Sequence, residues 1–200
     1  RADVPYEARV RYIGDAPLAQ YRARSVKRDL AELELLASLL PPRIEGFALD
    51  VPSGYGRMSD LLRSRGGVPV SFDISPDMAR AACAVSGRGA VAELEHLPLA
   101  DRSVDLSVCF RLLHHVPTRA QRVAILKELA RVSRRFVLVT WFHPWSLHHV
   151  RRWIGRDSRR YALTKAELAS EALEAGLVLD AVRAQAPFLR DLWLARFKVP

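Results

Sequence analysis

The apolar residues of this chain change their period twice along its length, and the changes divide it into three zones. In the first, residues 1 to about 45, Val26, Leu30, Leu33, Leu36, Ala37 and Leu40 recur at three- and four-residue spacing. That spacing predicts an amphipathic helix over 26–40, ended by Pro41-Pro42, neither of which can donate to a helical ladder. In the second zone, residues 46–141, short apolar runs at 47–49, 68–72, 104–110 and 136–141 alternate with helical patterns at 57–65, 76–85 and 118–132. The alternation predicts βαβ units, and right-handed crossovers make them a doubly wound, mostly parallel sheet. In the third zone Thr164 is placed to cap a helix, with Glu167 completing a capping box and Gly176 marking the helix end. Strand-like runs at 177–183 and 192–198, joined by a turn near Pro187 and Asp191, predict a closing antiparallel hairpin.

Composition narrows the setting. A chain of 200 residues can bury a full core without disulfides or metal. No apolar run reaches the length needed to cross a bilayer, and no signal peptide is expected at its start. Cys83 and Cys109 lie in apolar surroundings, which predicts reduced thiols and a cytoplasmic location. The net charge is +9, and of the 31 basic residues only four are Lys, a skew that genomic base composition produces as readily as function. A solvated basic surface accounts for it; so does an anionic partner.

Two turns carry the first chemical signals. Asp50-Val51-Pro52-Ser53-Gly54-Tyr55-Gly56 follows a predicted strand and opens a helix. Gly54 and Gly56 allow a sharp turn and a close ligand approach, and Asp50 at the strand end can take a cationic group such as an amino-acid ammonium. Asp73 ends the next predicted strand, 17 residues after Gly56, where a carboxylate can accept both ribose hydroxyls of an adenosine. Asp73 or Ser75 can alternatively cap the helix starting at Pro76; Ser75 fills that place better and leaves Asp73 free. Together the two turns predict an adenosine-containing ligand.

A third segment, from Glu93 through Leu97-Pro98 and Val104-Asp105 to Phe110-Arg111-Leu112-Leu113-His114-His115, completes an order that resembles class I methyltransferases dependent on S-adenosylmethionine. The likeness is nearest the methyltransferase type 11 group, which includes quinone-biosynthesis C-methyltransferases, and it covers residues 46–141. It implies a seven-stranded sheet in the order 3-2-1-4-5-7-6, with S-adenosyl-L-methionine as cofactor and S-adenosyl-L-homocysteine as product. By the resemblance, Asp50, Pro52, Ser53, Gly54 and Gly56 surround the methionine part, and Asp73 holds the ribose. Ile74 and Met78 pack near the adenine, Glu93 meets its amino group, and Phe110 and Arg111 lie along the cofactor toward the acceptor. Pro52 and Ser53 depart from the usual glycine turn, and Glu93 replaces Asp. The chain is expected to be one domain over 1–200: a helical cap (1–45), a cofactor-binding core (46–141), a basic loop or helix (142–163), and a closing helix and hairpin (164–200).

The expected function is methyl transfer to a small-molecule or lipid-like acceptor. A general base is needed only if the acceptor must lose a proton, and His114 and His115 are the candidates by position, although packing and loop order are the favoured roles of each taken singly. No metal is expected, because His143, His148 and His149 lack a carboxylate at fitting spacing. Arg151, Arg152, Arg156, Arg159 and Arg160, with Trp145 and Trp153, suit an anionic substrate or lipid surface, or else a solvated helix whose Trp residues face the core. Tyr6, Tyr12 and Tyr21 suit a lid, and Arg22 and Arg24 could reach the cofactor carboxylate. Three rivals remain. Gly54-x-Gly56-x-x-Ser59, Asp73 and a Tyr161-x-x-x-Lys165 spacing suit an NAD-dependent oxidoreductase. The positive charge invites a nucleic-acid methyltransferase, although no Asn/Asp-Pro-Pro-aromatic segment follows the fourth core strand, and nucleic acid is not the expected partner. The altered turn suits a non-catalytic cofactor-binding scaffold. Oligomeric state is not legible in the sequence.

Overall fold

In the computed structural model, which describes residues 26–146 and 161–200, strand and helix alternate as the apolar periods require. The elements are α1 (Val26–Ala37), β1 (Gly46–Asp50), α2 (Ser59–Ser64), β2 (Gly67–Asp73), α3 (Pro76–Ser86), β3 (Gly89–Val91) and β4 (Val104–Cys109). A 3-10 turn (Leu113–His115) follows, then α4 (Arg119–Val132), β5 (Ser133–Phe142), α5 (Lys165–Glu174), β6 (Val178–Ala184) and β7 (Leu192–Lys198). One sheet holds all seven strands in the order β3-β2-β1-β4-β5-β7-β6. The first five pair in parallel, and β7 runs antiparallel to both β5 and β6. This is the order expected from the resemblance. β3 was absent from the apolar runs because it is three residues long and exposed; its pairing with β2, Phe72 opposite Ala90, is what makes it a strand.

Side-chain alternation sends successive strand residues to two cores. Leu49, Val137, Val139, Trp141 and Phe197 pack with α4 and α5 residues such as Ile125, Leu129 and Leu168. Ala48, Leu106, Val108, Leu138 and Leu194 pack with α1 and α2 through Leu35, Leu36 and Leu62. The buried stripe of α1 differs from the one its apolar residues predicted, and the helix ends at Ala37 rather than Leu40. Glu32, Leu35 and Leu36 are buried, as are Leu39 and Leu40 in the turn that follows, whereas Leu30 is 55% exposed. The helix is turned so that a carboxylate, not Leu30, faces inward.

Capping follows the local sequence closely. The Ser75 hydroxyl accepts from Met78 N at the start of α3, Thr118 caps α4, and Thr164 and Glu167 form the reciprocal capping box on α5. Between α4 and α5 lies a buried ion pair: Arg122 Nε donates to Glu171 Oε2 at 2.9 Å and Nη2 to Oε1 at 2.5 Å. Arg122 Nη1 also reaches the carbonyls of Val116 and Pro117, so the pair fixes both helices to the loop that leaves the 3-10 turn. At the sheet's opposite end Asp105 joins three segments, accepting from Arg135 and from the backbone N–H of Glu45.

Gly56 sits at φ +83, and a Cβ there would lie 2.9 Å from the Ala82 Cα of α3. Glycine therefore lets the loop after β1 lie directly on α3. Gly54, at φ +55, would place a Cβ in open space.

Two outcomes are expected. Glu171→Ala leaves a guanidinium buried without its carboxylate and should cost about 3–5 kcal/mol, read from the urea midpoint; an unchanged midpoint would mean that water reaches Arg122. Gly56→Ala adds a backbone clash to the left-handed penalty, so it should lose more stability than Gly54→Ala in the same titration.

Candidate active site

The parallel strands β1, β2 and β4 end side by side, and the crossovers that leave them open a cleft at their carboxyl ends, where doubly wound sheets take ligands. The cleft has an empty volume, mouth included, of about 920 Å³. Of the residues singled out in the sequence, Asp50, Pro52, Ser53, Gly54, Asp73, Ile74, Met78, Phe110, Arg111 and His115 line it.

β1 delivers Asp50 to the floor. The chain then passes through a cis Val51–Pro52 bond. Val51 N–H still donates to Val108 O of β4, and Ser53 N–H donates to Phe72 O of β2, so the loop is pinned from both neighbouring strands. Asp50 is 1% exposed, and neither its Oδ2 nor the buried Ser53 Oγ meets a hydrogen-bond partner among the described residues. Burial pushes the Asp50 carboxyl well above the usual carboxylate range; nearby Arg57 opposes that rise and Asp73 adds to it.

β2 delivers Asp73. Its Oδ2 accepts from Gly54 N–H at 2.9 Å and its Oδ1 from Ser75 N–H at 3.0 Å. Ser75 caps the helix, as its position suggested, but Asp73 is not left free: its carboxylate ties the β1 loop to the tip of β2. Burial raises its pKa, and the backbone N–H groups of Ser75, Gly54 and Ile74 pull it back.

Three sequence candidates lie elsewhere. Gly56 is not among the lining residues, because its function is the contact with α3. Glu93 is exposed, with its carbonyl accepting from His96 N–H, while Glu95, two residues on, lines the cleft. The acid facing the cleft in this segment is thus Glu95 and not Glu93, since the turn at 93–96 directs Leu94 inward and Glu93 to solvent. His114 is fully buried with its ring stacked on Phe142 at 3.7 Å between centroids, outside the lining. The two histidines therefore separate: His115 faces the cleft, and His114 packs behind it.

Tyr55, Arg57, Leu94, Glu95 and Leu112 also line the cleft, and the sequence reading missed them. The placement of Tyr55 and Arg57 depends on α1. Tyr55 OH donates to Asp29 at 2.8 Å, and Arg57 Nη1 pairs with Asp29 at 2.9 Å. Arg57 Nη2 pairs with Glu32, and Arg111 Nη1 meets the other Glu32 oxygen at 2.8 Å. The Arg57 guanidinium lies over Phe110 and that of Arg111 over Phe142. Arg111 itself has φ +63, and its N–H donates to Thr140 Oγ1. The available signal was Glu32, an acid three and four residues before Leu35 and Leu36 on one helical stripe.

The Tyr161-x-x-x-Lys165 spacing loses its mechanistic sense here. Lys165 opens α5, whereas Tyr161 precedes the helix and donates its N–H to His114 O. Tyr6, Tyr12, Tyr21, Arg22, Arg24, His148, His149, Trp153 and Arg151, Arg152, Arg156, Arg159 and Arg160 lie outside the described residues.

Residues 49–136 match the family model of a methyltransferase domain. No curated protein matches the chain in sequence. Among solved structures, the magnesium protoporphyrin IX methyltransferase of Synechocystis PCC 6803 is similar with a TM-score of 0.75 at 18% identity, over 95% of this chain and 97% of that one. A chain of the complex that contains the Haloferax volcanii Trm112 methyltransferase activator aligns with a TM-score of 0.74 at 16% identity, over 99% and 100%. An S-adenosylmethionine-dependent methyltransferase from Mesorhizobium loti aligns with a TM-score of 0.66 at 16% identity, over 84% and 97%. At such identities the likeness speaks for the fold. The family match over residues 49–136 and the observed sheet order agree on the α/β fold of the S-adenosylmethionine-dependent methyltransferases.

Proposed function

We propose that the chain binds S-adenosylmethionine in this cleft and transfers its methyl group to a small-molecule or lipid-like acceptor. One observation carries the reading: Asp50 and Ser53 present buried, unpartnered oxygens beside the Asp73 carboxylate, at the tips of adjacent strands. Oxygens so placed suit a ligand with an ammonium at one end and ribose hydroxyls next to it. The solved Synechocystis methyltransferase, with the same fold, holds S-adenosylhomocysteine in one structure and S-adenosylmethionine in another.

In this reading Asp50 and Ser53 take the ammonium. Asp73 uses its remaining lone pairs for the ribose while its backbone partners hold it in place. Ile74 and Met78 flank the adenine, and Glu95 is the acid offered to the adenine amino group. When bound, the cofactor supplies a sulfonium-activated methyl, so the protein's own work is to orient the acceptor in line and exclude water. Phe110, Arg111, Leu112 and Tyr55 form the acceptor side. His115 is placed to take a proton from an acceptor that must lose one.

Calorimetry with S-adenosylhomocysteine, with NAD(H) as control, tests the cofactor. Saturable binding of the first alone is expected, with Asp73→Ala reducing affinity at least tenfold; binding of NAD(H) instead would replace the reading. Asp50 gives a second test with a defined sign. Its raised pKa means that the folded apoprotein holds a proton that the unfolded chain has released, so apoprotein stability falls as pH rises through that window. Asp50→Asn is expected to raise the melting temperature of the apoprotein at pH 7 while weakening S-adenosylhomocysteine binding. In the wild type, affinity should climb with pH as Asp50 ionises, and the Asn variant should lose that climb.

A further inference from the structure

We infer that a knuckle formed by Trp145, Phe188 and Leu189, flanked by Arg190, docks this protein on an anionic lipid surface. These three large apolar side chains are 73%, 79% and 62% exposed. They come from two loops, after β5 and between β6 and β7, that a bridge between Ser146 and Phe188 holds together. Phe188 has φ +64, a conformation that bulky residues rarely adopt, and its ring gains little burial in exchange. Strain retained to hold an aromatic ring in solvent points to a function of that ring.

The base of the knuckle is fixed. His143 N–H donates to Asp191 O at 2.8 Å, Gln185 N–H to Leu192 O at 3.0 Å, and Arg190 N–H to Ala186 O at 2.9 Å. The His143 ring stacks on Trp193 at 4.4 Å. A firm base with projecting apolar tips suits insertion into a surface better than packing within the chain.

Charge selects the occupant. Arg190 is exposed, and the next acid, Asp191, is 3% exposed. The stretch 147–160 carries five arginines against one acid, Asp157. Exposed aromatic side chains beside an exposed arginine match the boundary of an anionic bilayer, where the rings settle at headgroup depth and the cation meets phosphates. No described helix is long and apolar enough to cross a membrane, so the contact is peripheral. The knuckle stands at the same carboxyl edge of the sheet as the cleft, joined to it through Phe142, whose ring meets His114 and Arg111. A lipid-like acceptor would then reach the cleft from the bilayer, a step that rests on the methyl-transfer reading.

The test is co-sedimentation of the full chain with phosphatidylcholine vesicles, with and without phosphatidylglycerol. Binding to the anionic vesicles is expected, reduced at least tenfold in Trp145→Ser/Phe188→Ser/Leu189→Ser while that variant still binds S-adenosylhomocysteine. A wild type that stays in the supernatant with both vesicles overturns the inference, as does a triple variant that sediments like wild type. Should the triple variant not fold, brominated anionic vesicles decide: they should quench wild-type fluorescence and quench Trp145→Phe much less, and equal quenching would refute docking through the knuckle. Neither vesicle assay contains cofactor, so its failure leaves the methyl-transfer reading standing.

Discussion

Glu32 is a carboxylate withdrawn from water on the inner face of α1, and it is held there by two guanidinium groups that reach it from different crossovers. An isolated charge in that position would be costly, and pairing from both sides is what makes it tolerable. Much of the site follows from this contact. α1 must turn until Glu32 rather than Leu30 faces inward. Arg57 is drawn from the loop after β1 toward the helix and so lies along the cleft. Arg111 is drawn from the crossover after β4, and its left-handed backbone is stabilised by the bond from its N–H to Thr140. The helix is thereby attached to both walls of the opening it borders.

The floor of the cleft is organised by a different principle. Asp50 and Asp73 are set by strand ends and by backbone hydrogen bonds, with no cationic side chain hydrogen-bonded to either in the described structure. Burial raises the pKa of both, which is a cost to the apoprotein. An ammonium arriving beside Asp50 relieves that cost, so the folded chain is least comfortable where its proposed ligand sits. Such a floor trades apoprotein stability for affinity.

This difference explains what the sequence could disclose. Asp50, Gly54, Asp73 and the Ser75 cap are consequences of local order, a strand followed by a turn followed by a helix, and they could be placed from spacing alone. So could the Thr164–Glu167 box and the hairpin of β6 and β7. β3 could not, because an exposed three-residue strand exists only through its pairing with β2. Glu93 and Glu95 lie two residues apart in one short turn, and which of them faces inward is decided by the turn at 93–96, for which spacing has no signature. His114 and His115 are adjacent, and the one that is buried is the one stacked on Phe142, a residue distant in sequence.

The wall of the cleft proposed for the acceptor is less local in sequence than the floor. Phe110 and Arg111 leave β4, Tyr55 leaves the β1 loop, and His115 sits on the 3-10 turn. Their relative positions depend on α1, on Thr140 of β5 and on Phe142 at its end. A change in any of those supports would reshape that wall of the cleft without touching the acids that form the floor. On the proposed reading the fold can keep one cofactor while varying the acceptor, and the residues on the acceptor side come from three segments that the sequence alone does not bring together.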